Sequence, residues 1–207
     1  MKTDNLWQSC DMKVFWGEIA PCNHVLQVYE NDEGFLDLLE GFVSSGIDKG
    51  DCVILIATSA HVSALEKRLT VSGYEVEDLI AADQYIPLNA EETLSKFMVV
   101  GWPDEKLFIK VVNDLIARAR TQGREVRAFG EMVAILWTQG YSGATVQLEH
   151  LWNKFCETEA FCLFCAYPKS GFTDDAITSL SHICAAHSKM IEGSVTPHTE
   201  ILYKNIA

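Results

Sequence analysis

The sequence predicts a single α/β domain of three layers, with a mostly parallel central sheet of about five or more strands. Three observations carry that expectation. Five short apolar runs, HVLQVY, CVILIA, QYIPL, VRAFG and AFCLFCAY, have the length and the β-branched and aromatic content of strands. Segments with apolar residues at helix spacing separate them. Nearly continuous runs such as CVILIA suit strands covered on both faces, and strand–helix alternation implies right-handed crossovers between parallel neighbours.

The elements follow in order. Residues 1–21 form a leader with two tryptophans and no clear period. A strand over 24–29 runs into a helix with Phe35, Leu36, Leu38, Leu39, Phe42 and Val43 on its apolar side, ending near Gly46. After CVILIA, Thr58 or Ser59 offers an N-cap to a helix whose inner stripe is Val62, Leu65 and Leu69. Pro87 in QYIPL marks an edge strand or a strand end, because proline lacks the ladder N–H. EETLSKFM reads as helix and GWPDE breaks it. Leu107, Phe108, Val111, Val112, Leu115, Ile116 and Ala119 then give the clearest amphipathic helix in the chain. A helix using Leu148, Leu151, Trp152 and Phe155 follows the strand VRAFG and precedes AFCLFCAY. The last helix, about 173–191, places Ile177, Leu180, Ile183, Cys184, His187 and Ile191 on one face, and the tail 192–207 reads as irregular.

Composition narrows the function. With 48% hydrophobic and 22% charged residues, the chain is too apolar for disorder. A net charge of −13 argues against a surface that tracks nucleic-acid phosphates. No segment reaches the about 18 apolar residues of a membrane span, and the leader has no apolar signal-peptide core. Seven cysteines, an odd number, together with these features point to reduced thiols and a cytoplasmic protein.

In an open parallel sheet, ligands gather at the carboxyl ends of the strands. That rule selects Tyr29, Glu30 and Asn31, then Thr58, Ser59 and His61, then Asn89, Glu131, and finally Tyr167 and Pro168. Glu131 is the most informative of these. A carboxylate at an apolar strand end is partly desolvated, so it needs a partner, a metal or a proton. A salt bridge to Arg127 or bonds from backbone amides would satisfy it; a role in holding magnesium or activating water is the functional alternative. Nucleotide hydrolysis meets an obstacle in the first strand–turn–helix, where a phosphate loop would lie. G-x-x-x-x-G-K-[ST] is absent, and Glu30, Asp32 and Glu33 would repel a phosphate.

His187 reads as a core histidine, with a ligand contact or pH-sensitive group as the alternative; His61, opening a helix on the rim, is the better exposed candidate. Neither has a second histidine at metal-ligand spacing. Cys162 and Cys165 form C-x-x-C, but strand residues three apart face opposite sides, so no metal site or cofactor motif is read. No G-x-S-x-G elbow is present. Trp102, Trp137 and Trp152 read as packing, although tryptophan and tyrosine would also line a pocket for an apolar or aromatic molecule.

Several phrases in one order, HVLQVYENDEGFLDLLEGFVSSGIDKGDCVILIAT, SAHVSALEKRL, the GWPD turn, VRAFGEMVAILW, LEHLWNKF, FCLFCAYP and ICAAHS, resemble the MEDS domain, the methanogen/methylotroph DcmR sensory domain. The resemblance gives a domain over 22–191 between the leader and the tail. It implies a degenerate RecA/KaiC-like fold without its phosphate loop, a sensory role, small hydrocarbon-like ligands, and a neighbouring histidine kinase or DNA-binding region. The family's recurrent polar positions fall on His24, Tyr29, Glu30, Thr58, His61, Glu131, Trp152, Asn153, Tyr167 and His187. One departure is Asn89, where an aspartate is common.

The leading expectation is therefore a non-catalytic, stand-alone sensory module. It would bind a small molecule or a partner regulator through Tyr29, Glu30, Thr58, His61, Glu131, Trp152, Asn153, Tyr167 and His187, with no cofactor. A histidine kinase or transcriptional regulator is the expected signalling partner, and self-association is expected of a RecA-like fold. The rivals are a residual nucleotide-binding or hydrolytic enzyme using Glu131, and a structural adaptor for a kinase.

Overall fold

The five expected strands all form in the computed structural model, which describes residues 7–172, 177–193 and 200–206, with the backbone alone at 177–180. They are β2 (His24–Tyr29), β3 (Cys52–Ala57), β4 (Tyr85–Asn89), β7 (Val126–Gly130) and β8 (Cys162–Pro168). Three more strands, β1 (Gln8–Asp11), β9 (Lys189–Gly193) and β10 (Glu200–Asn205), complete an eight-stranded sheet of order β1-β10-β9-β2-β8-β7-β3-β4. From β9 to β4 every neighbour is parallel; β10 and β1 add antiparallel pairs at one edge. Pro87 sits on β4, the opposite edge, where a missing N–H costs no ladder bond.

Helices cover both faces, because strand residues alternate between them. Val25, Val53, Leu55, Phe129 and Phe164 pack under α1 (Met12–Glu18), α2 (Asp32–Lys49), α3 (Ser59–Val71) and α4 (Val76–Ala81). Leu26, Ile54, Ile56, Ala128, Leu163 and Cys165 pack under α5 (Ala90–Ser95), α6 (Glu105–Ala119), α7 (Met132–Thr138), α8 (Ser142–Glu159) and α9 (Ile177–Ala185). A two-stranded hairpin of β5 (Met98–Val99) and β6 (Trp102–Pro103) stands where the sequence marked a break. The strongest expected amphipathic helix is α6, with Phe108, Val112, Ile116 and Ala119 buried and Leu107 exposed.

Three expectations are corrected, and the leader, which showed no clear period, is placed from residue 7 onward: β1 joins the sheet, and α1 buries Phe15 and Trp16, the latter edge-on to Phe42 at 5.0 Å. The helix after β2, expected to end near Gly46, continues to Lys49, where Gly50 closes it with a left-handed φ of 87°. Gly46 lies inside it, at a position that excludes a side chain because a Cβ there would come within 2.6 Å of the Arg127 side chain. The tail is not irregular throughout, since β10 pairs with β9.

The last correction concerns the final helix. It ends at Ala185, and Ser188 N–H then donates to His24 O at 2.8 Å, drawing 189–193 into parallel register with β2. Ile191 therefore belongs to a strand, and its apolar spacing only imitated a helical stripe. Residues 173–176, the expected start of that helix, lie outside the described residues, as do the side chains of Ile177 and Leu180.

Candidate functional site

Parallel strand ends bring Tyr29, Thr58 and Glu131 together, as the sheet rule requires. Glu131 directly follows β7, its own N–H donating to Ile56 O at 2.8 Å, so the carboxylate is held by backbone rather than by a mobile loop. Thr58 is the N-cap of α3, its hydroxyl accepting from His61 N–H. One Glu131 oxygen accepts from Thr58 N–H at 2.8 Å and the other from His61 Nδ1 at 2.8 Å. Two donors thus offset the desolvation of a carboxylate that is only 6% exposed. The bond to Glu131 raises the affinity of His61 for its second proton, against the opposing effect of burial.

An aromatic wall completes the rim. Tyr29 stacks on Phe35 at 4.8 Å, and Phe35 meets the His61 ring edge-on at 4.8 Å. Burial and the carboxylates of Glu131 and Asp32 hold the Tyr29 phenol well above its ordinary range, so it is a neutral hydroxyl. His61 Nε2 has no hydrogen-bond partner among the described residues. A cleft of about 240 Å³ adjoins through Ser59, lined also by Val62, Ser63, Glu66, Pro87, Leu88 and Asn89.

The proposed Glu131–Arg127 bridge does not form. Arg127 points under α1 and α2, where its Nε and Nη2 donate to one Asp51 oxygen at 2.9 and 2.7 Å, both residues being buried. Glu30 sits on the surface and pairs with Lys169, so it belongs to the outer edge of the rim. In the acidic turn Asn31 caps α2 by accepting from Gly34 N–H at 2.9 Å, and Asp32 and Glu33 occupy the first turn, where their charge suits the helix dipole.

Four sequence candidates lie away from this rim. Trp152 is buried on the inner stripe of α8 against Phe108 at 4.9 Å, and its indole N–H has no partner among the described residues. Asn153, the next residue, turns outward and bonds to Glu157 of its own helix at 3.0 Å. Tyr167 lies opposite Val28 rather than Tyr29, so alternation sends its side chain to the other face. His187 lies in the connection from α9 to β9 and is fully buried.

Tyr167 and His187 join a second group that sequence reasoning did not assemble: His24, Glu149 and Cys165. The Tyr167 hydroxyl donates to Glu149 Oε1. His24 Nε2 lies 3.3 Å from Cys165 Sγ and 3.5 Å from Glu149 Oε2, and His187 Nε2 lies 3.7 Å from the same oxygen. The two imidazoles are 3.8 Å apart, centre to centre. Burial dominates the two histidines, Glu149 and Cys165. It lifts Glu149 to about 8, drops His187 to about 4, lowers His24 and raises Cys165, so each is driven toward its uncharged form. These four residues carry donor atoms suited to a metal, all within 4.8 Å of one another. One signal for them was present. Thr145, Leu148, Glu149, Trp152 and Cys156 form a helical stripe, and a carboxylate in such a stripe demands a partner.

Set beside known proteins, the chain matches the sequence model of MEDS, described as the methanogen/methylotroph, DcmR sensory domain, over residues 23–187. No curated protein matches it. Among solved structures it is similar to a protein from Pyrococcus horikoshii OT3 studied as project PH0250, at 12% identity and a TM-score of 0.57. That alignment covers 89% of this chain and 88% of the other. At that identity the likeness concerns the fold alone.

Proposed function

Because the chain belongs to the MEDS family of sensory domains, we propose that it is a non-catalytic sensory module whose rim receives a small apolar or aromatic molecule. The observation that carries this reading is the pair His61–Glu131 held against Tyr29 and Phe35 at the strand ends. A fixed polar pair beside an aromatic wall is the usual composition of a small-molecule site, apolar contact supplying affinity and a few placed polar groups supplying orientation. The acidic turn and the absent phosphate loop favour a ligand other than a nucleotide. No described helix is long and apolar enough to cross a membrane. Its seven free cysteines fit a reducing cytoplasm. A histidine kinase or transcriptional regulator would receive the signal, and self-association would be one means of passing it on.

The test is a thermal-shift and calorimetric screen with apolar, aromatic and nucleotide compounds. At least one aromatic or apolar compound should stabilise the native chain and lose its effect in Glu131→Gln. A screen without shifts, in a protein with which no regulator co-purifies, would sink the sensory reading. A second reading rests on the carboxylate-oriented imidazole, which is also the arrangement of a general base. It requires Mg-ATP binding and turnover that Glu131→Gln abolishes; absence of ATP binding disposes of it.

A further inference from the structure

We propose that His24, Glu149, Cys165 and His187 bind one divalent transition-metal ion, with zinc the ion their chemistry fits. The inference is independent of the rim and of its ligand. Four separate elements each deliver one donor atom to a common centre: the start of β2, the inner stripe of α8, the middle of β8 and the α9–β9 connection. Three of the six separations among these donors are 3.3, 3.5 and 3.7 Å, and all six lie within 4.8 Å. Around a tetrahedral zinc with bonds of about 2.0–2.3 Å, neighbouring donors stand about 3.3–3.8 Å apart.

Groups behind three of the donors, His24, His187 and Glu149, orient them. His24 Nδ1 faces Ala186 O at 2.9 Å, and His187 Nδ1 faces Ile183 O at 2.6 Å. A carbonyl only accepts, so each Nδ1 carries the proton and each Nε2 presents a lone pair to the centre. Tyr167 holds Glu149 through Oε1, which leaves Oε2 facing the histidines. Backbone and hydroxyl partners behind the ligands are the outer shell that metal sites use.

Without an ion the centre is poorly satisfied. Glu149 Oε2 and His187 Nε2 are both fully buried with no hydrogen-bond partner among the described residues. A carboxyl proton could bond only one histidine, whereas a cation meets all four donors together. Charge favours the same answer: one thiolate and one carboxylate beside two neutral imidazoles cancel a doubly charged ion, leaving a buried centre of zero net charge. The mixture of nitrogen, sulfur and oxygen donors suits zinc and disfavours magnesium or calcium. With four protein ligands the site is closed, the pattern of a structural ion. It would pin the α9–β9 connection, and with it the sheet edge formed by β9 and β10, onto the centre of the sheet.

Binding expels the thiol and carboxyl protons, one each from Cys165 and Glu149, into solvent. The test is elemental analysis of the purified chain, followed by cobalt and zinc titration of chelator-stripped protein, with circular dichroism reporting the fold. We expect one zinc per chain. Cobalt should give a sulfur-to-metal charge-transfer band together with intense tetrahedral d–d bands. Cys165→Ser should abolish the charge-transfer band, and His187→Gln should weaken zinc binding by tenfold or more. Cys162→Ser, whose sulfur faces the other layer, should bind as the parent does. If stripping unfolds the chain, zinc and not magnesium should restore it. A stripped chain that stays folded and takes up neither ion overturns the proposal, as does a charge-transfer band that survives in Cys165→Ser.

Discussion

Glu131 and Glu149 are both buried carboxylates beside histidine, one at the strand-end rim under α3 and the other on the inner stripe of α8, over the opposite face. Glu131 meets donors, a backbone N–H and an imidazole N–H whose proton affinity is raised, so its charge is satisfied within the protein. Glu149 has one donor, the Tyr167 hydroxyl, and its other oxygen faces imidazole lone pairs. The same residue types thus make a self-contained polar pair in one place and an incomplete centre in the other. What distinguishes them is which imidazole nitrogen the backbone has claimed. At the rim Nδ1 is turned to the carboxylate; in the buried group both Nδ1 atoms are turned to carbonyls.

The largest effect that sharpens this contrast concerns residues that only support the buried side. Trp152→Ala removes a fully buried ring packed on Phe108 and should cost about 3–5 kcal/mol in urea unfolding, in the range of other large aromatic truncations. A loss below about 1 kcal/mol would return Trp152 to a ligand-contact role, since exposed substitutions behave that way.

Next comes the rim pair. His61→Ala deprives a buried carboxylate of one of its two donors, a loss of about 1–3 kcal/mol for a hydrogen bond to a charged group. The pH dependence gives the pair its own signature. The folded proton affinity of His61 is raised above its unfolded value near 6.5, so the pair's extra stabilisation is fully present below that pH. It disappears as the pH rises through the raised folded value. The stability difference between the parent and His61→Ala should therefore shrink from pH 6 toward alkaline pH. A difference that grows with pH would contradict the assignment of the pair as charge-assisted.

The two sites were unequally legible in the sequence. Strand period and the strand-end rule placed Tyr29, Thr58, His61 and Glu131 on one rim, because each follows its strand closely and local register decides its position. The partner of Glu131 was not legible, since Arg127 and Glu131 are near in sequence but at opposite ends of β7, and Arg127 reaches Asp51 at the start of β3. The buried group was hidden for a related reason. Its members are scattered over β2, α8, β8 and the α9–β9 connection, so no spacing rule joins them, and the C-x-x-C pair drew attention to Cys162, which faces away. β9 itself was masked by an apolar spacing that continues the α9 stripe, and only its pairing with β2 reveals it.

The smallest predicted effect sets the limit of the contrast. Asn153 follows Trp152 in the family pattern, and a ligand role for either would place both at one site. One residue along a helix is a turn of about 100°, so Trp152 enters the core while Asn153 faces out and, among the described residues, bonds within α8. Asn153→Ala should therefore change stability by no more than about 0.5 kcal/mol, as surface substitutions away from caps and buried networks do. It should leave both the zinc stoichiometry and any rim-ligand affinity unchanged. A selective loss of ligand affinity at unchanged stability would mean that a partner or ligand reads the outer face of α8, and that the recognition surface extends beyond the strand ends.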